Sequence, residues 1–265
     1  MTSSSHPFFS NEYGQLGNET SYSATNQPID VGLPITVPAL SSGILSIGAG
    51  GYHTCAVLQG ASPATGASAV CWGKNDVGQL GLGSGAPVKT STGTTVLGLH
   101  YGVASLAAAF EHTCACMVNG SVYCWGSNQF GQLGLGFMNG FYSTPMPVID
   151  LPSPAVRAAA GGYHTCVLLH DGTVMCWGGC QYTEIGDNTA ACSAADGRPS
   201  PAPVRGLGSG SGVVSISAGR HHSCALMGNG SVVCWGGERA FCRAGFPLTF
   251  LFVLTLSSQT TDTVS

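Results

Sequence analysis

Four times the chain writes the same phrase. Gly51-Tyr52-His53-Thr54-Cys55 leads to Val70-Cys71-Trp72-Gly73, and Phe110-Glu111-His112-Thr113-Cys114 to Tyr123-Cys124-Trp125-Gly126. Gly162-Tyr163-His164-Thr165-Cys166 leads to Met175-Cys176-Trp177-Gly178, and Arg220-His221-His222-Ser223-Cys224 to Val233-Cys234-Trp235-Gly236. All four tryptophans are used, one per copy, at intervals of 52 to 58 residues. A unit this short cannot bury its own faces, so copies must stack on one another.

A second element follows Trp in two copies, Asn75 to Gly83 and Asn128 to Gly136, and stands alone as Asn11 to Gly17. In the third copy it has decayed to Glu184-Ile185-Gly186-Asp187-Asn188, and after Trp235 it is missing. Each copy opens on a small-residue apolar strand (Gly43 to Ala49, Val103 to Ala109, Val156 to Ala160, Val213 to Ala218), which suits a crowded inner position. Pro-containing stretches, Thr144 to Val148 and Pro201 to Val204, suit outer edge strands. A period of ~50 residues with many turns fits propeller blades. The expected fold is all-β, a β-propeller or partial propeller of about four blades. A disordered start (1–10) precedes a partial repeat (11–43) and copies at 44–102, 103–155, 156–212 and 213–237. An irregular tail, 238–265, follows.

Turn chemistry fixes what the cysteines face. Asn119-Gly120, Asp171-Gly172 and Asn229-Gly230 are strong hairpin signals. A two-residue turn would set Cys114 opposite Trp125. A three-residue loop with Gly in the left-handed position pairs Met117 with Ser121 and sets Cys114 opposite Cys124, Cys166 opposite Cys176, and Cys224 opposite Cys234. Such pairs come within disulfide range with small adjustment. In the first copy an insertion, Gln59 to Ser68, separates Cys55 from Cys71. Of the remaining cysteines, Cys116, Cys180, Cys192 and Cys242, the pair Cys180 and Cys192 flanks the decayed loop.

Twelve cysteines in a Gly-rich β sequence point to an extracellular or other oxidising compartment, with the cytoplasm as alternative. Residues 1–13 show neither the basic nor the apolar region of a signal peptide. The longest apolar run, Phe246 to Leu256, is short of the ~20 residues that a membrane-spanning helix needs. Lys and Arg total only 8 and the net charge is −4, so no phosphate-neutralising surface for nucleic acid can be assembled.

The string Gly-x-His-Thr-Cys, Asn/Asp-Gly, Cys-Trp-Gly-x-Asn-x-x-Gly-Gln-Leu-Gly resembles the repeat of the regulator of chromosome condensation family over about residues 11–237. The paired cysteines look most like its cysteine-rich secreted or receptor-ectodomain members. The resemblance implies a propeller, usually of seven four-stranded blades. The chain then reads as a piece of such a ring, or as a four-bladed ring in which Asn11 to Gly17 completes the blade begun by the last hairpin. The family's founder is a nucleotide exchange factor for a small GTPase; other members are interaction domains, receptor ectodomains or inhibitors.

Each copy offers candidate functional residues. His53, His112, His164 and His222 lie two residues before a Cys, giving three Cys/His ligands per hairpin of the kind zinc takes. The preferred reading makes each a structural His capping turn backbone beside an oxidised pair, so no metal or cofactor is expected. Trp72, Trp125, Trp177 and Trp235 read as packing between blades, with Leu16, Leu80 and Leu133 as plugs on turns needing positive φ. The sequons at Asn119 and Asn229 follow from turn chemistry, and a third lies at Asn18. No carboxylate pair, phosphate loop or Ser-His-Asp set stands out, so the expected function is not catalytic. It is a disulfide-stabilised interaction module for a protein partner, met through Gln59 to Ser68, Phe137 to Ser143 and Cys180 to Arg198. The alternative is a regulator with exchange activity on a small GTPase, its cysteines reduced.

Overall fold

The structure, a computed structural model, describes residues 11–19, 34–60, 66–188 and 197–237. The start at 1–10, the tail at 238–265, Cys192 and Cys242 lie outside them.

Four antiparallel sheets follow one another in chain order. The first holds β1 (Ile44–Ala49), β2 (His53–Leu58), β3 (Ser68–Lys74) and β4 (Lys89–Thr95). The second holds β5 (Val103–Ala108), β6 (His112–Met117), β7 (Val122–Ser127) and β8 (Phe141–Pro147). The third holds β9 (Ala155–Ala160), β10 (His164–Leu169), β11 (Val174–Gly178) and β12 (Arg198–Pro203). The fourth holds β13 (Val213–Ala218), β14 (His222–Met227) and β15 (Val232–Gly236). Within each sheet neighbouring strands are consecutive, as in a propeller blade.

Local chemistry explains the blade. Gly120 turns at φ +82°, its N–H bonds Met117, and Ser121 closes the ladder back to Met117. That three-residue loop sets Cys114 opposite Cys124, and the same count sets Cys166 opposite Cys176 and Cys224 opposite Cys234. Asn119 Oδ1 accepts the Ser121 N–H at 3.0 Å, so its side chain serves the turn. Beyond the cysteines the ladder to the outer strand shifts register at Trp, between Cys124 and Gly126 and likewise in the first and third blades. The Pro-containing β8 and β12 occupy the outer edges, where a missing N–H costs nothing.

The inner strands β1, β5, β9 and β13 share one cleft at the centre, lined among others by Ile47, Leu106, Arg157 and Ile216. Blades two and three are covered on both faces: β10 and β11 are buried at every residue. Such strands read as continuous apolar runs rather than alternating ones. Among the described residues the two end blades are covered on one side only. β15 is exposed or half-exposed throughout, and β1 is exposed at alternate residues. The four sheets therefore form an open arc among the described residues. The closure of a four-bladed ring through Asn11 to Gly17 is not formed: that segment lies on the first blade, where Gln15 O accepts bonds from Trp72 and Thr54.

Candidate functional site

The repeated side chains meet between blades, in one arrangement used again at each junction. Between the first and second blades, His53 Nε2 lies 2.8 Å from Thr113 Oγ1. Thr113 Oγ1 donates to Gln79 O at 2.8 Å, and Trp125 Nε1 donates to the same carbonyl at 2.9 Å. Between the second and third, His112 Nε2 lies 2.9 Å from Thr165 Oγ1, while Thr165 and Trp177 both donate to Gln132 O at 2.9 Å. Between the third and fourth, His164 Nε2 lies 2.8 Å from Ser223 Oγ, and Trp235 Nε1 donates to Glu184 O at 2.8 Å. A hydroxyl has one proton, which Thr113 and Thr165 spend on the carbonyl, so they accept from histidine. The proton of His53 and of His112 is therefore on Nε2.

The second repeat element is the carrier of that carbonyl. Asn128 Oδ1 accepts the Leu133 N–H at 3.1 Å and Gln132 Oε1 accepts the Phe130 N–H at 2.9 Å, holding the loop that presents Gln132 O. Gly81 has φ +70°, and a Cβ there would stand 2.8 Å from Trp125 Nε1, so only glycine lets the loop approach. The leucine after Gln plugs the gap between sheets: Leu80 packs with Cys55, Val57, Ala69 and Cys71 of its own blade and Trp125 of the next.

These contacts revise several sequence-based expectations. Histidine does not cap turn backbone; it bonds the neighbouring blade. Trp72, Trp125 and Trp177 are buried, but Trp235 is only half-buried and His222 is exposed, because no blade follows the fourth among the described residues. Leu16 is likewise 38% exposed, because no blade precedes the first among the described residues. The decayed loop at Glu184 to Asn188 starts earlier than the sequence showed, at Cys180, with Thr183 at φ +63° where the others have glycine, Glu184 for Gln and Ile185 for Leu.

Disulfides join Cys55–Cys71, Cys114–Cys124, Cys166–Cys176 and Cys224–Cys234, each with Cα atoms 4.1 Å apart. Cys180 is also disulfide-bonded. With both sulfurs of each pair oxidised, neither is a thiolate that could join the nearby histidine as a ligand. Cys116 is a free thiol, buried, and burial pushes its pKa up to about 11.

Among the described residues, Glu184 is the carboxylate built into a junction. Burial raises its pKa, and its Oε2 accepts the Tyr182 N–H at 2.8 Å, the bond Gln makes elsewhere. Its Oε1 lies 3.5 Å from His221 Nδ1. Glu184→Gln restores the repeat's own residue without an ionisable group to desolvate. It is expected to raise the melting temperature at pH 7.5 by roughly 2–4 °C, read by calorimetry; a fall would show that the His221 contact outweighs the burial.

One face of the arc carries an aromatic rim. In an antiparallel blade the β1–β2 type turns and the β3–β4 type loops emerge on the same face. Tyr13, Tyr52, Phe110 and Tyr163 follow one another there, with ring centroids 5.5, 5.6 and 5.9 Å apart, and Phe130 adds a ring 5.2 Å from Tyr163. Cations sit on them: Lys74 Nζ is 5.5 Å from both Tyr13 and Tyr52, and the Arg220 guanidinium is 5.8 Å from Phe110. All five rings are half-buried. The loop Phe137 to Ser143 shares this face, with Phe137 and Phe141 exposed. Cys180 to Arg198 opens on it too, although 189–196 lie outside the described residues, while Gln59 to Ser68, of which 61–65 lie outside them, joins β2 to β3 and so leaves from the opposite face. The rim is not legible in the repeat because its rings do not share one position: Tyr52 and Tyr163 precede the histidine, where the other copies have Glu111 and His221, and Phe110 stands one residue earlier, where the other copies have Gly51, Gly162 and Arg220.

Comparison with known proteins supplies names for these repeats. A family model described as the regulator of chromosome condensation (RCC1) repeat matches residues 10–57 and 119–168, and a second of the same description matches 103–132 and 213–239. The probable E3 ubiquitin-protein ligase HERC4 of Homo sapiens is 30% identical over 198 residues, covering 74% of this chain and 17% of that protein. The ultraviolet-B receptor UVR8 of Arabidopsis thaliana is 29% identical over 199 residues, covering 74% and 42%. The chain thus spans less than half the length of either relative. The crystal structure of Prp20p from Saccharomyces cerevisiae, whose title names its binding to Gsp1p and histones, superposes with a TM-score of 0.66 at 28% identity, covering 86% of this chain and 52% of that one.

Proposed function

Because the chain belongs to the regulator of chromosome condensation repeat family, we propose that it is a disulfide-stabilised propeller module that binds a protein partner across the aromatic rim. The rim carries this reading. His53, His112 and His164 with Trp125 and Trp177 are consumed in joining blades, and the paired cysteines in closing each hairpin, whereas Tyr52, Phe110, Tyr163 and Lys74 stand half-exposed and Arg220 exposed on one face. Aromatic and cationic side chains of this kind anchor protein interfaces. A disulfide at the same place in every blade fits an oxidising compartment.

The likeness to Prp20p favours a second reading, nucleotide exchange on a small GTPase. Two measurements separate them. Alkylation and mass spectrometry of the natively produced protein should find Cys55–Cys71, Cys114–Cys124, Cys166–Cys176 and Cys224–Cys234 linked. Folded protein with these thiols free would move the chain to a reducing compartment, and acceleration of nucleotide release from a small GTPase would establish the second reading. Proteins captured by wild type should be lost from a Tyr52→Ala/Phe110→Ala variant, weakened about 30-fold or more if these rings are hot spots. Equal retention by the variant would remove the rim as the binding site.

A further inference from the structure

Three hairpin turns use a side-chain oxygen in the same way. Asn119 Oδ1 accepts the Ser121 N–H at 3.0 Å, Asp171 Oδ1 the Thr173 N–H at 2.9 Å, and Asn229 Oδ1 the Ser231 N–H at 2.9 Å. The turn therefore needs an oxygen, and aspartate supplies it in the third blade as asparagine does in the second and fourth. Turn chemistry accounts for Oδ1 and leaves the amide nitrogen of Asn119 and Asn229 without a task. Elsewhere the fold does use that nitrogen: Asn75 Nδ2 donates to Pro87 O and Asn128 Nδ2 to Phe137 O, both at 2.9 Å. At the two hairpins Nδ2 meets no partner among the described residues, and both asparagines are exposed.

Each of these asparagines is followed two residues later by a hydroxyl, in Asn119-Gly120-Ser121 and Asn229-Gly230-Ser231, the sequence that accepts an N-linked glycan. The third blade has the hydroxyl, Thr173, without the amide. In the fourth, Ser231 Oγ donates to Asn229 Oδ1 at 2.7 Å, which keeps the hydroxyl beside the amide. A glycan also needs open space. Asn119 has it in the second blade, which is flanked by a blade on either side: a cleft of about 450 Å³ opens beside the turn, lined in part by Tyr123, Pro147, Asp150 and Pro152. The β6–β7 and β14–β15 hairpins leave from the face opposite the aromatic rim, so sugars there stand clear of it.

We infer that Asn119 and Asn229 are N-glycosylation sites, an inference that rests on the oxidising-compartment reading above. Nδ2 attacks C1 of the first sugar of an oligosaccharide carried on a polyprenyl pyrophosphate. The N–C1 bond forms as the bond from C1 to the phosphate oxygen breaks, the pyrophosphate carrier leaves, and one amide proton is released. Nothing is oxidised or reduced. Oδ1 remains available to the Ser121 N–H, so glycan and turn do not compete. The sugars cover the face away from the rim and leave Tyr52, Phe110 and Tyr163 to a protein partner.

Glycopeptide mass spectrometry of the natively produced protein tests the assignment, with the disulfides mapped on the same sample. Peptides spanning Asn119 and Asn229 are expected to carry hexose and N-acetylhexosamine, and the peptide spanning Asp171 none. Peptide-N-glycosidase in water labelled with oxygen-18 should turn both asparagines into labelled aspartate. Asn119→Asp keeps the oxygen that the turn uses; it is expected to lose the glycan of that turn with unchanged circular dichroism. Ser121→Ala is expected to lose the same glycan with the asparagine still in place. Both asparagines bare in protein whose disulfides are linked would overturn the inference and leave the compartment reading standing, whereas bare asparagines with free thiols would overturn both.

Discussion

Trp125→Ala is expected to unfold the protein at room temperature or to lower its denaturation midpoint severely, while Trp235→Ala is tolerated. Trp125 is fully buried between the first two blades, packed in one cluster with Leu80, Val96 and Leu106. Removing an indole from such a site costs about 3–5 kcal/mol. The loss is compounded because Gln79 O loses one of its two donors. A domain of this kind holds only ~5–15 kcal/mol in all. Trp235 makes the equivalent bond to Glu184 O but is only half-buried on an open face, so its removal leaves no closed cavity. Urea titration of the two variants measures the difference. Equal costs would mean that the indole acts within its own blade rather than across the junction. Thr165→Val isolates the polar part: nearly the same shape, but His112 Nε2–H left buried without an acceptor, at about 1–3 kcal/mol.

The blade was legible in the sequence wherever its cause was local. Asn119-Gly120 and Asp171-Gly172 announce a turn, and counting outward from a left-handed glycine gives the register without any knowledge of the rest of the chain. Proline in β8 and β12 marks the outer strands for the same reason, the absent N–H. What depends on the next blade was not legible. His53 and Thr113 are 60 residues apart, and each looks complete within its own hairpin. The third-blade loop was legible only from Glu184 onward, because Cys180 replaces the asparagine and Thr183 the glycine that open it elsewhere, although the backbone keeps the left-handed turn and the same carbonyl reaches Trp235. Leu16 fits the motif as well as Leu80 does. Only the presence or absence of a neighbouring sheet decides that one is exposed and the other buried.

The junctions also make the fold sensitive to acid well above the range in which carboxylates protonate. Burial holds His53 at a pKa of about 4 and His112 and His164 at about 3, against 6.5 when exposed. His53 and His164 also face His112, and His221 and His222 face His164, each lowering it further. The geometry explains the resistance to charging. Nε2 of His53 and His112 carries the proton for the hydroxyl, and Nδ1 of all three histidines is buried with no hydrogen-bond partner, so a second proton there would be a donor with nothing to receive it. Folded and unfolded chains are alike above pH 6.5, where both are neutral. As pH falls below 6.5 the unfolded chain takes up protons that the folded one refuses, and stability declines until the folded pKa values are reached. At pH 5 the loss is about 2 kcal/mol per histidine, or about 6 kcal/mol for three, a large part of the whole. The urea midpoint should therefore fall steeply between pH 7.5 and 5. His112→Gln, which keeps a side-chain N–H in reach of Thr165 but does not titrate, should remove about a third of that fall. A midpoint unchanged from pH 7.5 to 5, or a His112→Gln profile parallel to wild type, would show that these imidazoles are not the closed, neutral links between blades described here.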